Sequence, residues 1–224
     1  VEDLLVLKNN KGTEENRVRQ LDYGVQFNKL MYERLLSGGN ITLFSPSDVP
    51  GLYDAFFADQ DRFRQLYEAA EANPAIRKKT VKALDLFSQF VQERKDTGRI
   101  YLMNVDHANT HSPFDPTVAP IRQSNLCQEI DLPTKPLKEV NDPDGEIALC
   151  TLSAINWGMI HSPQDFAKPC ELAVRGLDAL LTYQHYPVPA AENSPRLYRP
   201  LGIGIVNFAY WLAKNNYTYT DASC

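Results

Sequence analysis

The chain has 224 residues, 43% of them hydrophobic and 23% charged, which is enough length and apolar content for a sizeable core. Its net charge of -5, without a basic stripe, argues against nucleic-acid binding. We find no apolar run long enough to span a bilayer and no signal-peptide pattern, so we expect no membrane association. The four cysteines lack CxxC spacing, which predicts a reducing compartment and a cytoplasmic protein.

Strand-like and helix-like stretches alternate along the chain, and this alternation predicts an α/β fold. In the first seventy residues we predict a helix end at 3–7, a strand at 23–27, a helix over 30–36 that stops at Gly38, a strand at 41–44, and helices at 51–57 and 62–71. Glycine after the last apolar residue of a helix is a common stop signal.

The clearest predicted helix follows. Asn73 can cap it, Pro74 suits its first position and Gly98 ends it. Between them, four apolar residues recur at intervals that would form one helix face: Ile76, Leu84, Phe87 and Val91.

The remainder of the chain is richer in loops. We predict a strand at 99–105, a loop-rich section at 106–144, a buried strand at 147–152, a helix over 172–181 with Pro169 at or before its start, a break at 187–189, a strand at 201–206 and a helix at 208–214. Long ordered loops are usually functional, so the section from Asp106 to Asp144 is the place to look for a site.

Within this loop, Asn125, Cys127 and Glu129 alternate along the chain. If the segment is extended, side chains two apart share a face, about 6–7 Å from one to the next. Together they would offer an amide, a thiol and a carboxylate to one small volume. A carboxylate can act as a general base, and a thiol supports redox chemistry. On residue type alone, Cys127 would more often be a buried, inert thiol.

The segments 122–130 (RQSNLCQEI) and 132–137 (LPTKPL) resemble the active-site finger loop of the catalytic (large, alpha) subunit of class I ribonucleotide reductase. Segments along the whole chain are similar to the same family, in the style of phage or bacterial members: residues 1–10, 22–26, 43–50, 104–107, 111–115 and 201–204.

The resemblance implies a fold. It makes residues 1–224 a central segment of the catalytic barrel domain, with no separate domain. The expected architecture is part of a ten-stranded α/β barrel, with a finger loop at about 120–137 inside it. A phage-encoded member would work in the host cytoplasm.

The resemblance also implies roles for individual residues. Cys127 matches the cysteine that becomes a thiyl radical, Glu129 the general base and Asn125 the amide that holds the ribose hydroxyls. Cys150 matches one half of the redox-active cysteine pair. An alternative for Cys150 is a small core residue in the apolar run 147–152.

Two further positions correspond, less directly, to the route by which the radical reaches the cysteine: Tyr101 and Arg99. His107 and His111 have a spacing that would suit a metal site on a helix. The loop-like composition around Ser112 argues against a helix there, so we interpret both as structural histidines and predict no metal site.

The family association further implies the partners. The radical would come from a separate, metal-containing beta subunit, and no cofactor would bind to this chain directly. ATP and deoxynucleotide effectors would bind outside the segment. The substrate would be a ribonucleoside diphosphate, and thioredoxin or glutaredoxin would re-reduce the enzyme.

The alignment with only a central part of the subunit leaves three interpretations open. The chain could be one piece of a split reductase that assembles with flanking fragments of the same subunit. It could be an isolated segment without activity of its own. It could also be a non-catalytic scaffold, although the intact Asn125, Cys127, Glu129 and Cys150 set argues against that.

Overall fold

The computed structural model describes Glu15 and residues 22–221, so the predicted helix end at 3–7 lies outside the described residues. The chain divides into two compact units, and the boundary between them lies between Thr134 and Lys135 in the sequence. The first unit contains β1 (Tyr23–Phe27), α1 (Lys29–Leu36), β2 (Asn40–Phe44), a 3-10 turn (Pro46–Asp48), α2 (Leu52–Ala58), α3 (Gln60–Ala72), β3 (Lys78–Lys82), α4 (Ala83–Thr97), β4 (Ile100–Asn104) and α5 (Val105–Thr110). The second contains β5 (Leu152–Asn156), two 3-10 turns (Trp157–Met159 and Pro163–Phe166), α6 (Ala167–Tyr183), α7 (Pro189–Tyr198), β6 (Gly202–Val206) and α8 (Phe208–Lys214).

The first unit contains the parallel strand pair β1–β4, one face of which packs in a buried cluster. Because side chains alternate along a strand, Phe27 and Ile100 lie on one face, where they pack with Phe90 of α4 in a buried cluster. The rings of Phe27 and Phe90 meet edge to face, with centroids 5.5 Å apart. Helix α4 therefore covers this face of the pair, and the other face carries Gly24 and Gln26.

The predicted long helix between Asn73 and Gly98 is wrong in its first part. Residues 78–82 form β3, which pairs antiparallel with β2, and α4 begins only at Ala83. Asn73 caps the end of α3 instead of starting a new helix, and its Oδ1 accepts a hydrogen bond from Ala75 N at 2.9 Å.

The predicted apolar face of that helix is only partly right, because Phe87 packs against the buried cluster and the other predicted members do not. Leu84 and Val91 are 60% and 46% exposed, whereas Leu86 and Phe90 are buried. Ile76 precedes the helix and packs at the edge of a different cluster. Because Ile76 lies outside the helix, the face predicted from its spacing is displaced from the face that is buried.

In the second unit, β5 lies later than predicted, at Leu152–Asn156, where it pairs in parallel with β6. The residues before β5 do not form a strand, because their backbone makes a hydrogen bond to a helix. Ile147 N donates to the carbonyl of Ala190 near the start of α7, at 3.0 Å.

Two proline positions account for two further differences. Helix α6 begins at Ala167, earlier than predicted, so Pro169 lies inside its first turn, where a missing N–H costs little. Pro189, interpreted as part of a break, is the first residue of α7, a position that proline favours. The prediction therefore missed α7 altogether.

The α/β class is confirmed. The strands of the described residues pair two by two, as β1–β4, β2–β3 and β5–β6, and they do not close into a barrel. In this part of the chain, no helix combines the length and the apolar character needed to cross a bilayer.

Candidate active site

Residues 120–134 run without helix or strand, as predicted for the finger loop. The section before them is not all loop, because α5 occupies Val105–Thr110. A helix is therefore present at His107, contrary to the prediction, and His111 follows its last residue. The two histidine rings lie one turn apart and meet edge to face, with centroids 5.3 Å apart. Within the described ranges, no three metal-ligating side chains cluster in a way that could hold an ion.

The loop lies against the face of the β1–β4 pair that carries Gly24 and Gln26. Gln26 Nε2 donates to the carbonyl of Arg122 at 2.6 Å and contacts Met103 Sδ at 3.6 Å. At Gly24 the approach is closer still, since a Cβ there would lie 2.0 Å from Gln128 Nε2. A glycine inside a strand often marks such an approach, and here it admits the loop tip.

The loop tip is a turn. Gln128 N donates to the carbonyl of Asn125 at 3.2 Å, and Gln128 has a positive φ of 57°. The expected extended conformation is therefore wrong. The turn brings the side chains of Asn125 and Glu129 together and leaves Cys127 exposed near its apex.

Asn125 is the anchor of this turn, because its side chain is only 4% exposed and is hydrogen-bonded at both ends. Its Oδ1 accepts from Ile130 N at 3.2 Å and lies 2.9 Å from Ser124 Oγ. Its Nδ2 donates to Glu129 Oε2 at 2.7 Å. Because Oδ1 of Asn125 accepts a hydrogen bond from a backbone N–H, its NH2 group must face the carboxylate of Glu129. These contacts fix the orientation of both side chains.

The three cysteines within the described residues are thiols, with no disulfide among them. Cys127 and Cys150 are exposed, and Cys170 is partly exposed. This exposure differs from the burial that the alternatives of an inert thiol for Cys127 and a core residue for Cys150 would require. Exposure lets a thiol meet a substrate or a second thiol.

Tyr101 and Arg99 occupy different environments. Tyr101 lies in β4 opposite Gly24, and strand alternation places it on the loop-bearing face. Arg99 precedes β4 and is half exposed, and its Nε lies 4.0 Å from Asp22 Oδ1. The geometry thus associates Tyr101 with the loop and gives Arg99 a surface ion pair.

Nothing in the sequence indicated that Gln26 supports the loop. Gln26 and Arg122 are 96 positions apart, so nothing local links them. Gly24 was the one available signal, because glycine is depleted in strands unless the backbone needs room.

A family model described as ribonucleotide reductase, barrel domain, matches residues 1–224. The ribonucleoside-diphosphate reductase subunit alpha of Haemophilus influenzae is 65% identical over 222 residues, which are 99% of this chain. Subunit alpha of ribonucleoside-diphosphate reductase 1 from Escherichia coli K12 is 65% identical, and the subunit alpha of Enterobacteria phage T4 is 54% identical, each over 100% of the chain. The matched region is 29% of the length of each of these relatives.

Proposed function

This chain belongs to the family of ribonucleotide reductase barrel domains, and we propose that it supplies the catalytic core of a ribonucleoside-diphosphate reductase. In that role it converts ribonucleotides to 2′-deoxyribonucleotides by thiyl-radical chemistry. Because it spans 29% of its relatives' length, we propose that it works only together with the remaining parts of an alpha subunit.

The observation that carries this proposal is the loop tip. A buried amide, Asn125, holds the carboxylate of Glu129 at 2.7 Å, and an exposed thiol, Cys127, lies between them in sequence. A nucleophilic cysteine would call for a neighbouring base to make it a thiolate. Here the carboxylate of Glu129 accepts a hydrogen bond from the Asn125 amide. This favours a role for the carboxylate as a base toward the substrate and not toward the thiol.

Cys127 begins the reaction in this proposal. As a thiyl radical it takes the hydrogen atom from C3′ of the ribose, so an S–H bond forms and a carbon radical remains. Sulfur suits this step because its S–H bond is weak enough for the same hydrogen to be returned at the end. The beta subunit supplies the oxidising equivalent that makes the radical.

Glu129 and Asn125 act on the hydroxyl groups. Glu129 takes the proton of the 3′ hydroxyl, which pushes electron density toward C2′ and helps the C2′–O bond to break. The 2′ hydroxyl leaves as water. Asn125 orients the ribose hydroxyls, since its amide can donate and accept together.

Cys150 supplies half of the reducing power. Two thiols, of which Cys150 is one, give up two electrons and two protons to the substrate and become a disulfide. One proton leaves with the departing water. Glu129 then returns its proton to the 3′ oxygen, and Cys127 returns its hydrogen atom to C3′ and becomes a radical again. The sum is one deoxyribonucleotide, one water and one disulfide.

The partners follow from this scheme. A radical-generating beta subunit, a ribonucleoside diphosphate and the flanking parts of the alpha subunit are required, and thioredoxin or glutaredoxin reduces the disulfide. Tyr101 lies on the radical route, and we assign Arg99 to it with Tyr101. We place both units of the chain in one barrel domain and the reaction in the cytoplasm.

Cys150→Ser tests the proposed reduction directly. In the assembled enzyme supplied with a dithiol reductant, we expect the wild-type protein to turn over repeatedly and Cys150→Ser to stop at no more than a single product per chain. Deoxyribonucleotide formation, followed by chromatography, measures this. Cys170→Ser is the control and should turn over like the wild type. A wild-type assembly that makes no deoxyribonucleotide would contradict the proposed function.

A further inference from the structure

The base of the finger loop is buried although it does not itself form a helix or a strand. Ile121 is 1% exposed and Leu132 is 6% exposed, yet residues 120–134 belong to no helix or strand. Buried backbone N–H and C=O groups need hydrogen-bond partners. Here side chains supply most of them.

Asn109 of α5 provides both partners for one residue of the loop. Its Oδ1 accepts from Ile121 N at 2.8 Å, and its Nδ2 donates to the carbonyl of Ile121 at 2.8 Å. The same Nδ2 donates to the carbonyl of Val105 at 2.8 Å, which ties the amide to its own helix. Asn109 is 6% exposed. These two hydrogen bonds, one to the N–H and one to the carbonyl of Ile121, fix both the position and the orientation of its backbone.

Thr134 holds the next two residues from the other end of the loop. Its Oγ1 accepts from Arg122 N at 3.2 Å and from Gln123 N at 3.0 Å, and its own N–H donates to the carbonyl of Pro120 at 3.2 Å. Thr134 is 8% exposed. Together with Gln26, which binds the carbonyl of Arg122, these contacts hold four consecutive residues, 120–123, at the base of the loop.

We propose that Asn109 and Thr134 are positioning residues, which hold the base of the finger loop so that Cys127 reaches the ribose at a reactive distance. This inference rests on the proposed function of Cys127. Their hydrogen bonds are made to residues 120–123, so they act through the loop and not on the substrate. Misplacing a reacting atom by about 1 Å can slow a reaction about 100-fold, which makes such support consequential.

The test removes the polar contacts and nearly keeps the side-chain volume. In the assembled reductase, we expect Asn109→Leu and Thr134→Val to lower kcat about 10–100-fold and to leave KM for the ribonucleoside diphosphate within about twofold. A merely structural role would lower thermal stability without this selective loss of kcat.

Tyr67→Phe is the matched control. The Tyr67 hydroxyl makes the same kind of double contact, accepting from Thr42 N at 2.8 Å and donating to the carbonyl of Thr42 at 2.7 Å. It lies in a different buried cluster from Ile121. We expect Tyr67→Phe to lower Tm as the loop variants do and to keep kcat within about twofold of the wild type.

Amide hydrogen exchange, followed by mass spectrometry, provides the second readout. Exchange in peptides covering 120–134 should be faster in Asn109→Leu and Thr134→Val than in the wild type, and unchanged in Tyr67→Phe. If Asn109→Leu does not fold, Thr134→Val carries the test.

The two levels of the proposal fail differently. A Cys127-dependent wild-type enzyme whose kcat resists both loop variants, or drops equally in Tyr67→Phe, overturns the positioning role alone. Reduction that continues without Cys127 overturns the proposed function, and the positioning role with it.

Discussion

Cys127→Ser is expected to abolish nucleotide reduction by the assembled enzyme, with a loss of about 10⁴-fold or more. Serine nearly keeps the size of the side chain and the exposed place near the apex of the turn. Its O–H bond is much stronger than the S–H bond of cysteine, so the oxygen can neither accept the radical readily nor exchange a hydrogen atom reversibly with C3′. The measurement is deoxyribonucleotide formation per assembled enzyme.

The control for this variant is Cys170→Ser, which removes a partly exposed thiol from α6 and should keep full activity. Native mass spectrometry should find the same assembly for the wild type and both variants. Activity retained by Cys127→Ser would mean that the radical assignment is wrong.

Glu129→Gln is expected to slow the reaction about 10²–10⁴-fold, the range typical of a lost general base. The glutamine carbonyl can still accept the hydrogen bond from Asn125 Nδ2, so the turn should survive. The amide cannot take the proton of the 3′ hydroxyl, so loss of the 2′ hydroxyl loses its assistance. Single-turnover rates of product formation measure the effect without interference from disulfide reduction.

Glu139→Gln offers the matched comparison, because Glu139 is an exposed carboxylate in the second unit and is outside the proposed chemistry. Its variant should react at the wild-type rate. If both glutamine variants slowed the reaction equally, a general loss of negative charge would explain the result and the base assignment would be lost.

Elements defined by local pattern were predicted well from the sequence. Strand β1 and helix α8 have the predicted bounds, because the apolar residues that form each element and the turn residues that end it are adjacent in the sequence. Strand β3 was missed, since its residues are mostly exposed and only their pairing with the distant β2 makes them a strand. Long-range pairing overrides local periodicity there.

For the site, the sequence indicated the residues but not their arrangement. Alternation suggested that Asn125 and Glu129 meet because the segment is extended, whereas they meet because the chain turns at Gln128. A positive φ at a residue other than glycine has little signal in the sequence. The supports from Asn109 and Gln26 depend on tertiary contacts, which residue spacing does not encode.

The most direct test of the central claim is reconstitution. The chain would be combined with the remaining parts of an alpha subunit and a radical-generating beta subunit, and both native mass and deoxyribonucleotide formation would be measured. We expect a stable complex that contains the 25.3 kDa chain and reduces ribonucleoside diphosphates, with no activity when the chain is left out. A chain that stays alone, or a complex that forms and makes no product, would contradict its role as the catalytic core.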